Sequence, residues 1–315
     1  MPMKDAPTPG TALVVGLGEA LFDRIDGHFI LGGAPVNFAV HAHQMLQPTG
    51  SEAVVASRIG VDPLGERLLD ELSSRGLDNA WIQRDETAPT GVVEVDVDAA
   101  GHPSYTINTG AAWDRFEFTP DWAELASRCR AVCFGTLAQR STASREAVRR
   151  FLAESPGAMR VCDINLRQQY FDRVTIHASL EASTVLKLNE EELAVVCELL
   201  EAPPSAAAGD VDDAIRWLIE AYELEALAFT RGERGVLLYY GGQRFDEPPT
   251  PATPQPGADS VGAGDACCAA LVVGMLRGFP PERILRLANQ AGALVASHRG
   301  ATPRLPDELA AAFGA

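Results

Sequence analysis

Runs of apolar residues too short for a helix recur along the chain, at 11–17, 53–59, 131–134, 160–163, 185–189 and 226–229, and stretches with apolar residues three and four apart stand between them. The first pattern is that of strands covered on both faces, the second that of amphipathic helices packed on them. Residues 66–74 predict such a helix, with Leu68, Leu69 and Leu72 on one face, as do 122–129, 144–152, 213–222, 266–275 and 284–295. Helix-to-strand alternation from residue 116 onward implies a parallel sheet between helical layers, an α/β fold whose ligands sit at the carboxyl ends of the strands. Two stretches alternate apolar and polar positions instead. Residues 19–33, turning at Gly27, and 91–107, turning at Ala99-Ala100-Gly101, predict hairpins that leave the main sheet. Pro-rich segments mark a frayed start at 1–10, a linker with a helix cap at 203–213 and an irregular stretch at 248–256.

Composition narrows the function classes. Over 315 residues, 46% hydrophobic and 22% charged is ordinary for a globular protein, and a net charge of −17 argues against nucleic acid or an anionic membrane as partner. The six cysteines lack paired Cys-x-x-Cys spacing and mostly lie in apolar runs, so they read as reduced core thiols. No run approaches the ~18–20 apolar residues of a membrane span and the first ten residues have no apolar signal core, which predicts a cytoplasmic protein. No internal repeat and no second independent domain is visible.

The chemistry concentrates at Pro256-Gly257-Ala258-Asp259-Ser260-Val261-Gly262-Ala263-Gly264-Asp265, which runs directly into the apolar helix at 266–275. Two glycines around one alanine let the N–H groups of Gly262, Ala263 and Gly264 converge where the positive end of the helix dipole lies, so the turn suits an anion. Asp265 reads either as a helix-capping charge or as a general base beside a phosphoryl group. A second glycine turn, Gly32-Gly33-Ala34-Pro35-Val36-Asn37, opens another helix with Pro35 in its first turn. Gly16-Leu17-Gly18 lacks the third glycine of a dinucleotide fingerprint, because position 21 is Leu21, which argues against a nicotinamide cofactor. Three predicted strands end in polar clusters: Asp163-Ile164-Asn165-Leu166-Arg167, Asn189-Glu190-Glu191-Glu192 and Thr230-Arg231-Gly232-Glu233-Arg234-Gly235. Alone they read as a strand-end ion pair, an acidic first helical turn and a hairpin.

Together these strings resemble the PfkB, or ribokinase-like, family of carbohydrate kinases. DSVGAGD is similar to the family's closing DTxGAGD, with Ser260 keeping the hydroxyl of Thr, and GGAPVN after Asp23 is similar to its opening signature. Gly60 to Gly65 matches GxDxxG, and the three strand-end clusters match Asp-x-Asn-x-Arg, Asn-x-x-Glu and TxGxxG, so the resemblance spans nearly the whole chain. It implies a ribokinase-like three-layer α/β/α sandwich with a mainly parallel central sheet, forming one kinase domain over 1–315 with a β-sheet lid from about 19–33 and 89–110. It also implies ATP and magnesium as cofactors. Asp265 becomes the general base, Gly262, Ala263 and Gly264 the phosphoryl cradle, and Arg167 a positive charge near substrate and phosphate. Asp23, Gly32, Gly33, Asn37 and Asn108 become sugar contacts, and Thr230, Gly232, Gly235 and Asn289 line the nucleotide side. Asn189 and Glu192 support the water shell of magnesium. Residues 297–301 are similar to the family's final loop, whose carbonyls often hold a monovalent cation such as potassium.

The expected substrate is fructose, phosphorylated at a primary hydroxyl. Kinases of 2-keto-3-deoxygluconate commonly place an Arg where this chain has Asn108, and a desolvated sugar carboxylate needs a paired cation. A 2-keto-3-deoxygluconate kinase, a ribokinase and a catalytically silent binding protein are the alternatives. Exposed lid edges predict a homodimer paired through the lids.

Overall fold

The computed structural model describes residues 11–97, 103–207 and 210–314. Its strands are β1 (Leu13–Leu17), β2 (Leu21–Ile25), β3 (His28–Gly32), β4 (Glu52–Gly60), β5 (Ile82–Asp85), β6 (Gly91–Val97), β7 (Pro103–Ile107), β8 (Ala131–Phe134), β9 (Met159–Asp163), β10 (Val185–Asn189), β11 (Ala226–Thr230), β12 (Val236–Tyr240) and β13 (Gln243–Asp246). Its α-helices are α1 (Ala34–Leu46), α2 (Pro63–Ser74), α3 (Pro120–Arg128), α4 (Thr142–Ala153), α5 (Arg173–Glu181), α6 (Glu190–Leu199), α7 (Pro204–Ala207), α8 (Val211–Ala221), α9 (Ala263–Leu276), α10 (Pro281–Ala296) and α11 (Asp307–Ala311).

Nine strands form the main sheet in the order β13-β12-β11-β10-β9-β8-β1-β4-β5. All neighbours run parallel except β12, which is antiparallel to β11 and to β13. Every residue of β1 and β8 is buried, as continuous apolar strands between two helical layers should be. One layer is α3, α4, α5, α6 and α8, whose Trp122, Phe151, Ile176, Val196 and Leu218 meet the sheet. The other holds α1, α9 and α10, with Phe38, Met45, Leu271 and Ile284 at its centre. Helix α9 is buried at every position from Ala266 to Met275, which is why its sequence is apolar all round rather than striped.

The two predicted hairpins form a separate four-stranded sheet, β3-β2-β6-β7. Each hairpin is antiparallel, and the parallel pairing of β2 with β6 joins them, Leu21 opposite Gly91 through Ile25 opposite Val95. The predicted turn at Ala99-Ala100-Gly101 and the Pro-rich start at 1–10 lie outside the described residues.

Elsewhere the structure amends the local reading. Residues 203–213 are not a plain linker: α7 forms within them, and α8 begins at Val211 because the Asp210 carboxylate accepts the Asp213 N–H at 3.0 Å. Strands β5 and β13 and helix α5 have no clear period in the sequence. The two strands are the edges of the main sheet, where β5 buries only Ile82 and Asp85 and β13 buries no residue, so neither alternation nor a continuous apolar run is required. All six cysteines are buried and unpaired. Among the described residues no helix is long and apolar enough to cross a membrane.

Candidate active site

The amino end of α9 lies at the carboxyl edge of the main sheet. Gly262, its N-cap, has φ 79° and ψ −7°, a left-handed conformation, and no side chain caps the helix. The Ala263 N–H donates to the Ser260 carbonyl at 3.2 Å, so the amides beside it, those of Gly262 and Gly264, are the ones that suit a ligand. A methyl group at Gly262 would stand 2.5 Å from the Ala301 carbonyl oxygen and 2.7 Å from its Cα, so only glycine lets the final loop close on the turn.

Asp265 follows one residue after Gly264. Its Oδ2 accepts a 2.8 Å hydrogen bond from Asn37 Nδ2, which joins two glycine turns separated by more than two hundred residues. Burial raises the Asp265 pKa to about 6, and the Asp163 carboxylate adds to the rise, while Asn37, Lys187 and Arg167 pull it down.

The turn Gly32-Gly33 brings Asn37 there by close packing. A methyl at Gly32 would lie 2.5 Å from Asp23 Oδ2, and one at Gly33, where φ is 101°, would lie 2.4 Å from the Glu19 carbonyl. The Gly33 carbonyl accepts the Asn37 N–H at 2.9 Å, which starts α1 with Pro35 in its first turn. Burial lifts the Asp23 pKa to about 6 against the attraction of Arg167. Glu19, at the end of β1, is 4% exposed; burial lifts its pKa to about 7, and the charge of Arg167 opposes this too. Arg167 is itself exposed, on a loop in which Asn165 holds φ 41°. The positive charge of Arg167 pulls down the pKa of Glu19, Asp23 and Asp265 alike, so the three carboxyl groups share its field. Asn108, exposed at the end of β7, is held by its carbonyl, which accepts from Arg140 Nη2 at 2.6 Å.

The other polar clusters fall on consecutive strand ends. Parallel pairing sets Lys187 opposite Asp163 and Asn189 opposite Thr230. Asn189 and Glu192 form a capping box at α6: Asn189 Oδ1 accepts the Glu192 N–H at 2.9 Å, and Glu192 Oε2 accepts the Asn189 N–H at 2.9 Å. Glu192 Oε1 also accepts the Leu166 N–H at 3.1 Å, tying α6 to the Arg167 loop. Burial raises the Glu192 pKa, and Lys187 opposes it. Gly232 and Gly235 have φ 55° and 78° and shape the turn between β11 and β12, which an Arg234–Glu190 ion pair fastens to α6. The buried Asn289 amide donates to the carbonyls of Glu247 and Pro248 at 3.3 and 3.1 Å, so in this structure it anchors the Pro-rich stretch.

Three buried groups carry no role in the sequence reading. Lys187 Nζ contacts both oxygens of Asp163 at 2.9 Å and lies 3.5 Å from where a methyl on Gly264 would be, so this ion pair floors the anion turn. Burial works against the Lys187 charge, but Asp163 holds its pKa above the usual value. A charged residue in the buried strand Val185–Asn189 was the available signal. His41 Nε2 lies 2.9 Å from the Ala301 carbonyl, and burial lowers its pKa to about 4, so the neutral ring braces the loop that closes on Gly262. Glu19 is the third, and nothing in its local sequence marks it as buried.

The profile of the pfkB family carbohydrate kinases matches residues 18–308. The chain is 28% identical over 322 residues to an Escherichia coli fructokinase, covering 94% of this chain and 97% of that one. It is 30% identical over 312 residues to a Salmonella typhimurium fructokinase, covering 92% and 95%. An uncharacterized sugar kinase from Pyrococcus horikoshii superposes with a TM-score of 0.80 at 27% identity, over 96% of this chain and 100% of that one. A Xylella fastidiosa fructokinase with bound ATP has the same fold, with a TM-score of 0.81 at 22% identity over 96% and 98%. With its sheet, its two glycine turns and a family match over nearly its full length, the chain belongs to the PfkB family of carbohydrate kinases.

Proposed function

We propose that this sugar kinase transfers the γ-phosphoryl group of ATP to a primary hydroxyl of a neutral sugar, fructose becoming fructose 6-phosphate. The observation that carries the reading is the Asn37–Asp265 hydrogen bond, which aims a carboxylate at the mouth of an uncapped helix N-terminus. Asp265 accepts the proton as the sugar oxygen bonds to the γ-phosphorus and the bond from that phosphorus to the β,γ-bridging oxygen breaks. The amides of Gly262 and Gly264 and the Arg167 guanidinium take up the charge on the phosphoryl oxygens, while the Ala263 amide, expected to join them, is held by the Ser260 carbonyl. ATP as donor is supported by the structure of the Pyrococcus horikoshii sugar kinase in complex with ATP, 25% identical with a TM-score of 0.74.

Magnesium, when bound, neutralises phosphate charge. Among the described residues no group of three or more His, Cys, Asp or Glu side chains could hold a metal, and both Glu192 oxygens already accept amide hydrogens. That donor set would suit an ion bound through water, whose hydrogen bonds the remaining acceptor capacity of Asn189 and Glu192 would take.

Fructose is favoured by the fructokinase relatives and by charge. Glu19, Asp23 and Asp265 already share the field of one Arg167, and a sugar acid bound there would add a further carboxylate to it. Assays of ADP release with fructose, ribose, 2-keto-3-deoxygluconate and adenosine test the reading. We expect kcat/KM for fructose to exceed that for the keto-acid by about tenfold or more, ~1.4 kcal/mol in transition-state binding. A comparable advantage for the keto-acid would overturn the assignment.

A further inference from the structure

Arg140 lies outside every motif named above. It follows the short 3-10 turn Leu137–Gln139 after β8, and its side chain is 6% exposed. Nε and Nη2 donate to Asp114 Oδ1 and Oδ2 at 2.7 and 2.8 Å, and Nη2 donates also to the Asn108 carbonyl at 2.6 Å. The guanidinium is sandwiched between two rings, 4.0 Å from the Trp113 centroid and 4.7 Å from that of Tyr170.

Its partners reach two separate segments, the end of β7 with Asn108 and the loop that carries Arg167. Asp114 Oδ2 accepts the Gly110 N–H at 2.9 Å, and the Tyr170 hydroxyl donates to the Ile107 carbonyl at 3.4 Å, so both hold the end of β7. The Tyr170 backbone N–H donates to the Arg167 carbonyl at 3.1 Å, so the residue that carries this ring also closes the turn after Arg167.

We propose that Arg140 is a positioning residue that clips the end of β7 to the Arg167 loop and so sets the spacing of Asn108 and Arg167 across the sugar cleft. The proposal rests on the kinase reading of that cleft. Only a planar, always-charged fork can stack between two rings while it grips one carboxylate and a carbonyl. A lysine keeps the charge and loses the stacking and the second arm.

The test is Arg140→Lys, with Tyr170→Leu as a second variant that removes one ring and leaves Asp114 and Asn108 untouched. On whichever sugar the wild type turns over best, Arg140→Lys should raise the sugar KM about tenfold or more, with the ATP KM within about twofold and kcat at saturating sugar within about threefold. Tyr170→Leu should move the sugar KM in the same direction by less. Hydrogen exchange at the Gly110 amide should quicken in both. Sugar and ATP KM values rising together, or an unchanged sugar KM, would overturn the proposal. Should Arg140→Lys fail to fold, Tyr170→Leu decides by the same criteria. If the wild type phosphorylates no sugar, the kinase reading fails on its own, and unchanged Gly110 exchange in the variants would then sink the clip.

Discussion

In the proposed reaction Asp265 is the residue on which the chemistry turns. Asp265→Asn keeps its shape and its contact with Asn37 but removes the proton acceptor. Its kcat should fall by roughly 10²–10⁴, with sugar and ATP affinities near those of the wild type. Turnover within about tenfold of the wild type would remove Asp265 from the mechanism. The same carboxyl sets a pH dependence. Because its pKa is raised to about 6, kcat/KM should decline as pH falls through that value and the base becomes protonated. Stability runs the other way. A carboxyl whose pKa is raised on folding contributes stability that is complete below its unfolded value and lost as pH rises through the folded one. Asp265 and Asp23, each raised to about 6, and Glu19, raised to about 7, all share this sign. Melting temperatures across pH should therefore show Asp265→Asn gaining on the wild type as pH rises from 4 to 8; a constant offset would contradict the burial of that carboxyl.

At the scale of elements, two helix N-termini carry the site and fail in different ways. Gly262→Ala puts a side chain at φ 79° and against the Ala301 backbone. Left-handed strain alone costs ~1–2 kcal/mol, so the variant should melt lower and show a raised ATP KM, checked by thermal unfolding and initial rates. At α6 the capping box does structural work as well. Asn189→Ala should cost ~0.5–2 kcal/mol in denaturant unfolding, and it should raise the magnesium concentration needed for half-maximal rate. A stability loss with an unchanged magnesium requirement would leave Asn189 a helix cap alone. Both termini were legible as strings because glycine and small polar residues at helix starts have few other uses. The edge strands β5 and β13 were not legible, since strands with little or no buried face carry no strong pattern.

At the scale of the molecule, the four-stranded sheet ends in β3 and β7, whose outer edges have no strand partner among the described residues. Such edges pair readily with another chain. We expect a homodimer through this sheet, and light scattering at micromolar concentration should give about twice the 33.6 kDa of one chain; a monomeric mass would contradict it.

The sequence by itself determined the layer order, because strands buried on both faces must be continuously apolar and their covering helices striped. It also placed the glycine turns, since φ values of 79° at Gly262 and 101° at Gly33 leave little choice of residue. What only the tertiary structure decided is which distant groups meet. That Asn37 donates to Asp265, that Lys187 and Asp163 pair beneath Gly264, and that Arg140 stacks between Trp113 and Tyr170 depend on strand order and on packing across the sheet. A local pattern records whether a position is buried, not what it is buried against. The partners of a buried charge are chosen by the fold.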